Sequence, residues 1–66
     1  MNNIYIYGPI EQGSFKQFLM NFKALDLNPG DTVNININSP GGYVTEGVRI
    51  ADFIEEKQST YNFQST

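Results

Sequence analysis

From Thr32 to Asn38 the chain alternates strictly, with Val33, Ile35 and Ile37 on one side and Thr32, Asn34, Asn36 and Asn38 on the other. It then passes through Ser39-Pro40-Gly41-Gly42 into the apolar spacing of a helix. A period of two describes a strand with one apolar and one polar face. A glycine pair where strand meets helix lets main-chain N–H groups face outward, and without a Cβ it lets a second backbone come close. The corner at Gly41 and Gly42 therefore reads as a place that holds a substrate backbone.

The other segments fall around this one. Ile4-Tyr5-Ile6-Tyr7, stopped by Gly8-Pro9, predicts a first strand over residues 3–7. Ser14 with Gln17 three positions on reads as a capping box. Phe15, Phe18, Leu19, Phe22 and Leu25 recur at the spacing of one helical face, so a helix is expected over 14–25. Asn28-Pro29-Gly30-Asp31 is a turn. After the glycines, Val44, Val48, Ala51 and Ile54, with Ile50 and Phe53 on an adjoining stripe, predict a second helix over 45–57. Gly47 inside it costs roughly 1 kcal/mol against Ala, which points to close packing at that position. Ser59 to Phe63 offers the start of a third strand.

The order is β-α-β-α, and a strand, crossover helix and strand in one sheet are parallel and right-handed in nearly all cases, so the fold class is α/β. With 66 residues the chain is at most one domain and buries only about 60% of the surface its unfolded form exposes. It has no cysteine and no histidine for a disulfide or a structural metal. Association, or membership of a larger domain, is what remains. Parallel sheets are normally covered on both faces, so open edges ask for more chain or more subunits.

Composition narrows the function classes. A net charge of −3 with four basic residues, Lys16, Lys23, Arg49 and Lys57, argues against a nucleic-acid partner. No apolar run approaches the roughly 20 residues that span a bilayer, and Met1-Asn2-Asn3 lacks the start of a signal peptide, so a soluble cytoplasmic protein is the default.

In open parallel α/β sheets ligands bind beyond the carboxyl ends of the strands, where Gly41 and Gly42 stand. Outward N–H groups there serve a phosphate, an oxyanion in acyl transfer, or an extended peptide. A phosphate loop needs a longer glycine run with Gly-Lys-Ser/Thr, which is absent. A plain turn and helix entry, with Pro40 ending the strand, explains Ser-Pro-Gly-Gly equally well on the residues alone.

The stretch Ile37-Asn38-Ser39-Pro40-Gly41-Gly42, followed by Val44, Thr45, Gly47, Ile50 and Asp52, resembles the Asn-Ser-Pro-Gly-Gly region of the Clp protease proteolytic subunit and its phage relatives, the Clp-like head maturation proteases. Ile4 to Ile10 is similar to that family's first strand, and the likeness covers residues 3–60. The resemblance implies the β-α-β-α portion of a ClpP/crotonase type of fold, with residues 1–66 forming one partial domain at the N-terminal side of a serine endopeptidase. It implies that Gly42, supported by Gly41, offers a backbone N–H to the oxyanion hole. It also implies that Tyr43, Val44 and Thr45 pair with a peptide substrate as an added strand. It brings a homo-oligomer or the rest of a Clp-like domain as partner, allows an ATP-dependent unfoldase, and calls for no cofactor or metal. Tyr43 departs from the family pattern, which alters a side-chain pocket and leaves main-chain roles intact.

The family's serine, histidine and aspartate lie beyond this sequence, and with no histidine a Ser-His-Asp arrangement cannot form within it. The 66-residue chain is thus expected to be inactive alone. A short, non-catalytic, phage-derived binding or assembly module is the alternative. Ser39 reads as a loop hydrogen-bonder, and Ser65 lacks the Gly-x-x-x-Ser setting of the nucleophile. Glu55, Glu56 and Asp52 read as solvated, Asp26 and Asp31 as brackets of a turn, and Glu46 as an acid placed by the dipole and cap of the second helix.

Overall fold

A computed structural model describes residues 2–65. The elements are β1 (Asn2–Tyr7), α1 (Ser14–Ala24), β2 (Thr32–Asn38), α2 (Val44–Lys57) and β3 (Asn62–Ser65). The three strands form one parallel sheet in the order β1-β2-β3. Ile4 stands opposite Ile35 and Tyr7 opposite Asn38, while Val33 faces Phe63 on the other side. The expected α/β class and parallel crossovers are therefore present, with a third strand that begins three residues later than the sequence suggested. Residues 58–60 are instead used in a turn, in which the N–H groups of Thr60 and Tyr61 donate to the Lys57 carbonyl at 3.0 and 2.9 Å.

Both helices meet on one face of the sheet. The alternation puts Ile4, Val33 and Ile35 beneath them, where they are buried with Phe18 and Phe22 of α1 and Ile50 of α2. Phe53 of α2 is the meeting point of the aromatic layer: its ring lies edge-on to Phe15, Phe18 and Phe22 of α1 at centroid distances of 6.1, 5.7 and 5.1 Å. Such tilted contacts set the positive ring edge against the negative face of a neighbour, which adds orientation to the area they bury. Phe22 also reaches Tyr61 and Phe63, tying α1 to β3. The turn after α1 forms as the residues dictate, with the Asn28 N–H donating to Asp31 Oδ2 at 2.9 Å and Gly30 at a φ of 92°.

Two expectations need correction. Ser14 does not cap α1. The N-cap is Gly13, at a φ of 96°, with no side-chain cap of its own. The Ser14 hydroxyl accepts instead from the Glu11 N–H at 2.7 Å, and the Gln17 amide turns to Asn21. The apolar stripe of α2 is also phased differently. Val44 and Val48 are 78% and 51% exposed, while Ile50 is buried and Phe53 and Ile54 pack against the core. Counting back from Ile50 by one helical turn reaches Glu46, which is buried.

Gly47 does not mark a tight contact within this chain. A Cβ built there would meet only Ile10 Cδ1, at 4.0 Å, an ordinary van der Waals distance. Gly47→Ala is therefore expected to stabilise the chain by about 0.5–1 kcal/mol, the usual helix-interior difference. That raises Tm by several degrees in a thermal melt; a lower Tm would show that the position is crowded.

Candidate functional site

The β1–β2 ladder does not stop at the strand ends. The Gly8 N–H donates to the Asn38 carbonyl at 3.0 Å, and beyond it Ile10 forms an isolated parallel bridge with Gly42. Between the Tyr7–Asn38 pair and this bridge the β2 side carries one residue more than the β1 side. The excess is taken up in the glycine corner, where Gly41 and Gly42 adopt φ values of 106° and 146° that side chains resist.

Ile10 closes over the corner with both of its backbone groups. Its N–H donates to the Gly41 carbonyl and its carbonyl accepts from the Tyr43 N–H, each at 2.8 Å. A Cβ built on Gly42 would land on the Ile10 backbone carbonyl, whereas one on Gly41 would meet nothing. The two glycines thus serve different needs: Gly41 supplies a conformation, and Gly42 a close approach of two backbones.

Hydrogen bonding separates them as well. The Gly41 N–H is taken by Ser39 Oγ at 3.1 Å, which makes Ser39 the loop hydrogen-bonder expected from the sequence. The Gly42 N–H has no acceptor among the described residues. Tyr43 is the N-cap of α2, extended at φ −64° and ψ 112°, with no side-chain cap, and its carbonyl accepts from the Gly47 N–H. The first-turn N–H groups of Val44, Thr45 and Glu46 accordingly have no acceptor among the described residues either.

This geometry changes the part that Tyr43, Val44 and Thr45 can play. Strand addition needs extended residues with free N–H and C=O groups at alternate positions. Both backbone groups of Tyr43 are already bonded, and Val44 and Thr45 lie in the first turn of α2. What they present is the exposed Tyr43 and Val44 side chains and two helix-terminal donors.

Among the carboxylates, Glu46 departs from its expected role. It does not cap its own helix: Oε1 accepts the N–H groups of Gly13 and Phe15 at the start of α1, at 3.2 and 2.9 Å. Arg49 lies 3.9 Å from Oε2 and is mostly exposed, so that ion pair adds little. No sequence signal links residue 46 to residues 13 and 15, although the missing side-chain cap on α1 is the vacancy it fills. No group of three or more Asp or Glu side chains among the described residues is placed to hold a metal ion. No helix among the described residues is long and apolar enough to cross a membrane. Clefts lined by Tyr7, Pro9, Phe18 and Asn21 and by Ile35, Ile37, Ile54 and Phe63 do not include Gly41 or Gly42 in their walls.

The difference between the glycines is measurable. Gly42→Ala must displace the 10–13 segment and is expected to cost about 1–3 kcal/mol, the scale of enforced backbone strain. Gly41→Ala carries strain without a collision and is expected to cost less. Urea denaturation of both variants decides it, and equal losses would remove the distinction.

The family model described as Clp protease matches residues 1–63. The chain is 38% identical over 53 residues to "ATP-dependent Clp protease proteolytic subunit 3" of Rhizobium johnstonii and 36% identical over 53 residues to the protein of the same name in Rhizobium etli. In both cases the match covers 80% of this chain and 27% of the relative. Since the family match runs from β1 through both helices into β3 and takes in the whole Ser-Pro-Gly-Gly corner, the chain belongs to the Clp protease family.

Proposed function

We propose that this chain supplies part of the oxyanion site and of the peptide-contact face of a Clp-type serine endopeptidase. Attack on a peptide carbonyl moves negative charge onto its oxygen, and N–H donors already fixed in position stabilise that charge without reorganising. The observation that carries the reading is the Gly42 N–H, which has no acceptor among the described residues and lies between the bond Ile10 donates to Gly41 and the one it accepts from Tyr43. The helix-terminal N–H groups of Val44 and Thr45 stand beside it, and the macrodipole of α2 favours negative charge at that end. Gly41 shapes the corner. The Tyr43 and Val44 side chains provide contact surface for substrate residues near the scissile bond.

A hydrolytic step needs a nucleophile and a general base as well. The sequence contains no histidine, so a Ser-His relay draws its histidine from outside these 66 residues. Function in this reading belongs to an assembly with a complementary Clp-type segment or subunit. An ATP-driven unfoldase is a partner by analogy with the relatives' name alone.

The test is a graft. The matching 53-residue segment replaces its counterpart in the Rhizobium johnstonii subunit, and hydrolysis of a fluorogenic peptide is followed. The graft is expected to be active, and Gly42→Ala within it, which keeps the N–H but drives it off its position against the Ile10 carbonyl, to lower kcat by about 10²–10³-fold with little change in KM, the scale of an oxyanion donor put out of place. An assembled graft whose kcat is untouched by Gly42→Ala would reject the reading.

The outward side of α2 favours a second reading, an assembly module without catalysis. Val44 and Val48 are exposed one turn apart, and Ile37 at the end of β2 is half-exposed. Exposed valines on one side of a helix support contact with another chain. Sedimentation of the chain is expected to show an oligomer that Val48→Glu dissociates. A monomer at all concentrations would remove this alternative.

A further inference from the structure

Glu46 is the buried charged side chain of the described residues, 8% exposed, and the functional reading above gives it no task. A buried carboxylate is costly unless it is hydrogen-bonded, and here a single oxygen takes both Gly13 and Phe15 N–H groups. What those bonds anchor is the end of a strap. Residues 9–13 leave β1 after Gly8, whose N–H is fixed to Asn38, and carry no ladder of their own except at Ile10. Pro9 has no N–H to give, and the Glu11 N–H is used locally by Ser14. Beyond Ile10 the strap is tied to the start of α1, by the Glu11–Ser14 pair and by the Gly13 carbonyl that accepts from Gln17, and Glu46 supplies its hydrogen bonds to α2 there.

The contacts close into a ring. Glu46 holds Gly13; the strap brings Ile10 back over the corner; Ile10 holds Gly41 and Tyr43; and Tyr43 caps the helix that carries Glu46, accepting the Gly47 N–H. Gly42 lies inside that ring, pressed against the Ile10 carbonyl. The geometry points to Glu46 as a positioning residue: by tying the strap to the first turn of α2, its Oε1 fixes where Ile10, and with it the Gly42 N–H, sits. The functional meaning of this placement rests on the oxyanion reading; the mechanical coupling does not.

A carboxylate that only caps α1 would stabilise that helix and leave the corner alone, and this separates the two roles. Amide hydrogen exchange and ¹H–¹⁵N shifts are recorded on the labelled chain, on Glu46→Ala, on Glu46→Gln and on Phe22→Leu, a core substitution away from the strap. In Glu46→Ala the Ile10 and Tyr43 amides are expected to exchange about tenfold faster relative to that variant's own global opening, with the Gly42 signal displaced. Glu46→Gln keeps a carbonyl at Oε1 and restores all three. Phe22→Leu lowers global stability and leaves the Gly42 signal in place.

Wild-type behaviour of Ile10, Tyr43 and Gly42 in Glu46→Ala overturns the proposal, as does a Glu46→Gln variant that fails like Glu46→Ala. Should Glu46→Ala not fold, Glu46→Asp, which keeps the charge and withdraws it by one methylene, takes its place. Displaced Ile10, Tyr43 and Gly42 signals there support the proposal, and unmoved signals overturn it. If coupling is found while Gly42→Ala leaves kcat of the graft unchanged, the oxyanion reading fails alone.

Discussion

The β1–β2 ladder is the constraint on which the other contacts depend. β2 is the strand paired on both sides, with Val33 and Ile35 buried under the helices, so its direction fixes where the chain leaves the sheet. The Ile10–Gly42 bridge continues that ladder beyond the last strand residue and through the turn. The first residues of α2 are therefore held by sheet-type bonding as well as by helix packing. This is why a corner of small residues keeps one conformation: Ile10 supplies the partners that side chains of Gly41 and Gly42 cannot.

Much of this was legible in the sequence because it follows from period and composition. Thr32 to Asn38 could be read directly, since alternation and a bounded length specify a half-buried strand. The phenylalanine stripe of α1 is similar, for Phe18 and Phe22 are both buried and apolar. The phase of α2 was not legible, because one of its inward positions is occupied by a carboxylate and two of its outward positions by valines. A pattern that counts apolar residues rotates such a helix the wrong way. The cap of α1 was hidden for another reason: its acceptor comes from a residue more than 30 positions away, and local motifs search three.

At the site itself, the glycines were visible and the difference between them was not. Either Gly in a Pro-Gly-Gly run can supply positive φ. Only packing tells which is pressed against another backbone, and only hydrogen bonding tells which N–H is occupied by Ser39 and which has no acceptor among the described residues. The family resemblance singled out Gly42, whose N–H is the one of the two with no acceptor among the described residues. α2 begins one residue earlier than periodicity suggested, so Val44 and Thr45 lie in its first turn rather than in an extended segment.

The residues from Gly42 to Val48 break several local rules together. Gly42 holds a φ of 146° against a neighbouring carbonyl, Val44 and Val48 face outward, and Glu46 faces in. Burying a valine rather than exposing it is worth roughly 1.5–3 kcal/mol, so a helix chosen for stability alone would reverse the pattern. The strand alternation, the turn at Asn28 to Asp31 and the aromatic layer, by contrast, all point to the same fold. Disagreement between local preference and observed structure concentrates where function constrains the chain. Here it gathers on the turn of helix next to Gly42, with the Glu46 carboxylate turned inward to the Gly13 and Phe15 N–H groups and the Val44 and Val48 side chains turned outward.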